Sequence, residues 1–165
     1  MAKRKALITS ALAAAGVAAL FATAAPAGAA TGHRDAVAQP MTAARSTQVS
    51  VVNWTGCELR LVNSWLDHGV WSDGLAPVAV MSDGSTGRWQ SESNGFLTGT
   101  EGHVIYDAEN CQNGALNGKR VQLHWANPYA GSNSYDTAGS DPMFRFAMNG
   151  GGGNNAAVYW TVMGS

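Results

Sequence analysis

From Gln48 to Met163 the chain runs in short stretches of alternating apolar and polar residues, separated by Gly, Asn, Asp and Ser. In "ELRLVNSW", Leu59 and Leu61 fall on one face and Glu58, Arg60 and Val62 on the other. In "KRVQLHW", Val121, Leu123 and Trp125 oppose Gln122 and His124; in "PMFRFAM", Phe144, Phe146 and Met148 oppose Met143, Arg145 and Ala147. A strand sends successive side chains to opposite faces, so each stretch predicts a half-buried strand. "QVSVVNW", "PVAVM", "TGRWQSES" and "GHVIYDA" add further strands, and Pro77 suits a strand start. "AAVYWTVM", apolar on both faces, predicts a central strand. About eight short strands joined by turn residues, with no heptad and no amphipathic helix, predict an all-β fold, a single antiparallel β-sandwich.

The N-terminus has a different pattern. Lys3, Arg4 and Lys5 precede an Ala-rich apolar run and the small-residue exit Ala27-Gly28-Ala29. That order predicts a secretory signal peptide over 1–29, cleaved after Ala29. The run from Ala6 to Ala25 approaches spanning length, but alanine is weakly apolar and a Pro-Gly exit follows, which argues against an anchor. Residues 30–47 show no periodicity and predict a flexible lead to a domain at 48–165. Cleavage removes three of ten basic residues and none of eleven acids, leaving seven against eleven, a formal charge of −4. A mildly acidic chain without a Lys/Arg cluster is a poor nucleic-acid ligand. Electrostatics alone would not bring it to anionic lipid either. Two cysteines in an exported chain predict one disulfide, Cys57–Cys111, stabilising by about 4 kcal/mol through loop closure.

Candidate chemistry is sparse. "NGGGGNN" at 149–155 lacks the helix and the Lys of a phosphate cradle and reads as a loose hairpin connection. None of His68, His103 and His124 lies within ligand spacing of another, so no metal site is expected. There is no GxSxG elbow and no spare cysteine for nucleophilic catalysis. Glu92 and Glu101 flank "SNGFLTGT", where a hairpin would set two carboxylates across from each other as some β-sandwich glycosidases do. Solvated acids beside a turn are the more ordinary reading, so no catalytic residue and no cofactor is expected.

The aromatics carry more. Trp54, Trp65 and Trp160 lie in strongly apolar runs and are expected in the core; Trp71, Trp89 and Trp125 lie beside turns. Trp and Tyr suit boundaries between wet and dry surroundings, whether at a bilayer, a sugar or the end of a sandwich. In "HWANPYAGSNSYD", Trp125 shares a face with Val121 and Leu123 and is expected to be buried. Tyr129 and Tyr135 are expected to be partly exposed with free hydroxyls. The candidate ligand-contacting set is Trp71, Trp89, Glu101, Tyr129, Asn133 and Tyr135.

Several words of the sequence resemble one family. They are Leu66-Asp67-His68-Gly69 with Trp71, Pro77, Gly84-Ser85 with Trp89, and Ser91-Glu92-Ser93 with Gly95-Phe96. Thr98-Gly99-Thr100-Glu101-Gly102 with Tyr106 follows, then Trp125, Asn127, Pro128, Tyr129, Gly131, Asn133 and Tyr135. Over about residues 49–163 the chain resembles the aegerolysin-type family, in particular its bacterial crystal-protein branch. The resemblance implies an actinoporin-like β-sandwich without catalytic machinery. It also implies binding to membrane lipid, often in sphingolipid-containing bilayers, or service as the small half of a toxin with a larger pore-forming partner. The chain departs from many relatives in its export signal and its candidate disulfide. A secreted carbohydrate-binding, lectin-like module is the alternative, with a glycan as ligand.

Overall fold

A computed structural model describes residues 44–165. The expected signal peptide and nearly all of the expected flexible lead lie outside the described residues, and the first strand begins at Ser46. Among the described residues there are ten strands: β1 Ser46–Trp54, β2 Glu58–His68, β3 Val70–Trp71, β4 Val80–Met81, β5 Thr86–Glu92, β6 Thr100–Glu109, β7 Arg120–Asn127, β8 Ser134–Asp136, β9 Phe144–Gly150 and β10 Asn155–Gly164. They form two five-stranded sheets, ordered β3-β5-β1-β10-β9 and β4-β2-β6-β7-β8. The β-sandwich is as the alternation predicts. One pairing departs from the antiparallel rule: β1 lies parallel to β10, from Ser46↔Asn155 to Trp54↔Met163.

The period of two decides what is inside. Val49, Val51, Trp89, Val158, Trp160 and Val162 from one sheet meet Leu59, Val104, Tyr106, Val121, Leu123 and Trp125 from the other. Trp89 sits at the centre, its ring 6.2 Å from both Tyr106 and Trp125. Tilted aromatic contacts of this kind add about 0.5–1.5 kcal/mol each beyond their buried area.

Several expectations need correcting, the first being Trp65, which is half-buried and stacks on His103 on the outer face of its sheet rather than lying in the core. Trp54 is 58% exposed, because Val49, Val51 and Asn53 point inward and Trp54 has the opposite parity. β10 is apolar inside but exposes Tyr159, so it is half-buried rather than covered on both faces. Met148 is exposed although Phe144 on the same parity is buried, since β9 is an edge strand whose far end leaves the core. "PVAVM" contributes only the two residues of β4, and the short β8 was not anticipated.

Strand direction gives the sandwich two ends. At one, Cys57 and Cys111 are bonded, with S–S 2.05 Å. The disulfide expectation is met. Buried Asn53 uses its whole amide there: Nδ2 donates to the carbonyls of Cys57 and Met81, both at 2.9 Å, and Oδ1 accepts from Thr55 N and Oγ1. Asp83 accepts from Gly56 N at 2.9 Å, and Leu116 closes the bottom of the core. At the other end are the loops 93–99, 128–133 and 151–154.

Candidate functional site

The loop 93–99 carries the chain from β5 in one sheet to β6 in the other. Thr98 Oγ1 accepts from Gly95 N at 3.0 Å and donates to Gly95 O at 2.9 Å, which pinches the loop. The pinch pushes the two residues between them outward. Phe96 is 84% exposed and Leu97 50%. Leu97 holds φ +58°, a left-handed conformation that costs a branched side chain about 1 kcal/mol or more. Gly99 then lies so close to the neighbouring loop that a Cβ there would meet the Asn127 carbonyl oxygen at 2.5 Å. The two loops are therefore pressed together by glycine.

The second loop adds Tyr129, 41% exposed. The Arg45 guanidinium stands 5.5 Å from the Tyr129 ring centroid and donates to the Tyr129 carbonyl and to Asn154 Oδ1. Beneath them Asn127, fully buried, donates from Nδ2 to Ser46 O at 3.0 Å and Asn154 O at 2.9 Å. One amide thus ties the start of β1 to two loops. Between Leu97 and Tyr129 opens a cleft of about 340 Å³, floored by Gly99 and Ala126 and edged by His68 and Glu101. A wider hollow of about 550 Å³ lies beside Asn133 and the glycine loop 150–153.

The outer face of the β2–β6–β7–β8 region bears a polar and aromatic row. Trp65 stacks on His103 at 4.5 Å and 10°, and His103 stacks on His124 at 4.3 Å and 18°. Register produces the row: Trp65 pairs with His103, His103 with His124, and His124 with Asp136. His103 Nε2 lies 2.9 Å from Asp67 Oδ2. His124 Nδ1 lies 2.8 Å from Asp136 Oδ2, and its Nε2 3.0 Å from Glu101 Oε1. Burial pushes the His124 imidazolium down, but the hydrogen bonds to Asp136 and Glu101 outweigh it and the net shift is upward. Burial likewise pushes the Asp136 carboxyl up, and its bonds to His124 and to Ala138 N carry it below the ordinary range.

The residues expected to contact ligand divide. Tyr129 and Glu101 stand at the cleft. Trp89 is 1% exposed and belongs to the core, because β5 alternates Gly87, Trp89 and Ser91 inward. Trp71 is half-buried and packs on Trp125, with centroids 5.8 Å apart. Trp125 is fully buried, as expected, and its Nε1 donates to Ser91 Oγ at 2.8 Å. Tyr135 is half-buried rather than free: its hydroxyl donates to Gly151 O at 2.8 Å and its ring meets Trp160 edge-on at 5.8 Å. Gly151, at φ +86°, touches that ring so closely that a Cβ would lie 2.4 Å from Tyr135 Cε2. Asn133 donates to Gly151 O and Gly153 O and fastens the same loop. Tyr135 and Asn133 therefore plug and brace this end of the sandwich.

Glu92 and Glu101 do not form an acid–base pair. Their neighbours Ser91 and Thr100 point inward and share a buried hydrogen bond of 2.7 Å, so the two carboxylates leave on opposite faces. Glu92 instead accepts from Ser72 Oγ at 2.8 Å. Sequence reading missed Phe96, Leu97 and Arg45, although an apolar pair inside "SNGFLTG" is a signal that a turn alone does not explain. It also missed the convergence of His103 and His124, which only strand register creates.

The family model described as Aegerolysin matches residues 44–163. Among solved structures the chain is similar to the lipid binding protein Nakanori, with a TM-score of 0.59 and 13% identity over 73% of this chain and 72% of that one. At that identity the likeness is one of fold. No curated protein sequence matches the chain.

Proposed function

The chain belongs to the aegerolysin family, and from that premise we propose that it is an exported, non-enzymatic, toxin-like module that binds membrane lipid through its loop end. The observation that carries the reading is the exposed Phe96–Leu97 pair, of which Leu97 lines, with Tyr129, a cleft of about 340 Å³. Moving a Phe or Leu side chain from water into an apolar phase is worth about 1.5–3 kcal/mol. Two such residues supply a marginal, reversible anchor that a headgroup held in the cleft completes. The rings of Phe96 and Tyr129 suit the zone between headgroup and acyl chain.

Charge narrows the lipid. A formal charge of −4 after removal of residues 1–29 gives no general attraction to an anionic surface. The cleft presents the Glu101 carboxylate, which favours a headgroup with a cationic end, while Arg45, over the Tyr129 ring, stands ready for the headgroup's anionic part. A zwitterionic lipid fits better than a purely anionic one. Export is supported by the basic, apolar and small-residue order of 1–29, and by a disulfide of the kind that persists in oxidising compartments. Lysis, on this reading, is the work of a larger pore-forming partner recruited by the bound module.

Sedimentation with liposomes of varied headgroup tests the reading. Binding to zwitterionic, sphingolipid-containing vesicles, weakened at least tenfold by Phe96→Ala with an unchanged melting temperature, is the expected result. No binding to any sphingolipid, sterol or phospholipid mixture would sink it. Binding on a glycan array without binding to liposomes would replace it with the lectin reading.

A further inference from the structure

Lipid binding at the loop end leaves the stacked histidines on the sheet face unexplained. We propose that Glu101, His103 and His124 form a site for one divalent transition-metal ion, with Zn²⁺ the best match. Side chains at positions i and i+2 of one strand, and at the position paired across the next, share one face of a sheet at close spacing. β6 supplies Glu101 and His103 in that relation, and β7 supplies His124 directly opposite His103. One ligand atom from each lies within 4.8 Å of the others. A tetrahedral ion with bonds of about 2.0–2.1 Å brings its ligand atoms to roughly 3.4 Å. His124 Nε2 and Glu101 Oε1, at 3.0 Å, are already that close. His103 and His124 stack with ring centroids 4.3 Å apart and only 18° between their planes, and an imidazole binds in its own plane, so His103 must turn out of the stack to complete the set.

The surroundings are those of ligands rather than of a solvated face. A metal-binding imidazole usually gives its second nitrogen to a carboxylate, which fixes the tautomer and makes the first nitrogen a better donor. Both rings have that arrangement. Asp67, from β2, holds His103 at Nε2, and Asp136, from β8, holds His124 at Nδ1. What remains is Nδ1 of His103 and Nε2 of His124. His103 Nδ1 is buried with no hydrogen-bond partner, a condition that costs free energy unless something binds it. The two side chains are 19% and 16% exposed, and because His103 Nδ1 itself is buried, the turn of His103 out of the stack is also what admits an ion. Two imidazoles and a carboxylate suit Zn²⁺, Ni²⁺ or Cu²⁺ rather than Ca²⁺ or Mg²⁺, which prefer oxygen ligands. Three protein ligands leave one position of a tetrahedral zinc for water or an exogenous group.

The test uses chelator-stripped full-length protein without lipid, so its outcome is independent of the membrane reading. Calorimetric titration with ZnCl₂ should show one ion per chain and a melting temperature that rises with zinc. Cu²⁺ should quench Trp65, which stacks on a ligand ring. His103→Gln and His124→Gln should each weaken zinc binding at least tenfold. Asp67→Asn and Asp136→Asn should weaken it about 10- to 100-fold while leaving the ligands in place. Glu109→Gln, at the opposite end of β6, should change nothing. If a histidine variant fails to fold, Glu101→Gln and the two Asp→Asn variants carry the same comparison. No saturable binding up to about 1 mM Zn²⁺ would overturn the proposal. So would stoichiometric binding that survives in the His103→Gln/His124→Gln double variant, since the ion would then sit elsewhere.

Discussion

The two ends of this sandwich are built from similar residues and behave differently. Both consist of turns rich in Gly, Asn and Ser. At the stapled end, polar side chains meet each other: Asn53 satisfies four hydrogen bonds, Asp83 and Thr55 cap backbone amides, and Cys57–Cys111 closes the joint. At the loop end, Phe96, Leu97 and Tyr129 meet water. One end holds the sheets together and exposes the single ring of Trp54, while the other gathers an apolar pair and a tyrosine on two adjoining loops. The physical lesson is that composition does not distinguish an end whose side chains satisfy one another from an end that leaves apolar side chains exposed. What each loop's side chains touch does.

The sharpest way to break the contrast is to remove the layer on which the loop end rests. Trp125→Ala should cost about 3–5 kcal/mol in denaturant unfolding, since it empties a core site and removes one of the two hydrogen bonds that Ser91 Oγ accepts. Reducing Cys57–Cys111, or replacing both with Ser, should cost about 2–4 kcal/mol. Liposome binding per folded molecule should be unchanged, because the bond lies at the far end. A loss of binding in step with reduction would dissolve the distinction. Leu97→Gly tests the loop end alone. The left-handed φ favours glycine, so stability should stay within about 0.5 kcal/mol. Membrane affinity should fall about tenfold, as expected for losing a buried Leu.

Tyr135→Phe separates plug from ligand contact. It should cost about 1 kcal/mol from the lost bond to Gly151 and leave membrane affinity alone. The smallest effect concerns acid at the stapled end. Asp141 accepts from Met143 N, and this bond, with the one to Lys119, holds its carboxyl below the ordinary value of 3.8. A folded pKa below the unfolded one contributes stability that is present above about pH 4 and lost as pH falls through the folded value. Asp141→Asn should therefore flatten the slope of stability against pH below 4, with little change at pH 7. An unaltered slope would show that the carboxylate's charge contributes nothing there.

Much of the fold was legible because alternation is local. Val121, Leu123 and Trp125 announce an inward face, and all three are buried. The misreadings have specific causes. In "QVSVVNW" both parities carry apolar residues, and the inward one includes a polar Asn53 whose four partners are invisible from sequence. Trp54 was therefore read on the wrong side. The pairing of β1 with β10 joins residues more than a hundred positions apart, and no local signal fixes it. Of the site, Tyr129 and Glu101 were legible from turn context and family resemblance. Tyr135 was not, because its hydroxyl partner is a backbone carbonyl in the glycine loop. His103 and His124 are separated in sequence by a loop whose length hides the register that puts them face to face.

The parallel pairing of β1 and β10 has a mechanical consequence. Ser46 begins β1 at the loop end, and Gly164 finishes β10 at the stapled end, so tension applied through these two residues drives the strands past one another along their length. The ladder is then loaded in shear, with its hydrogen bonds sharing the force, instead of being peeled open one bond at a time. Whatever precedes β1 departs from the loop end, and whatever is attached after Gly164 points away from it. Cargo fused behind the last strand would ride on the distal side, and a pull on that cargo from a held β1 would meet the sandwich in its stiffest direction.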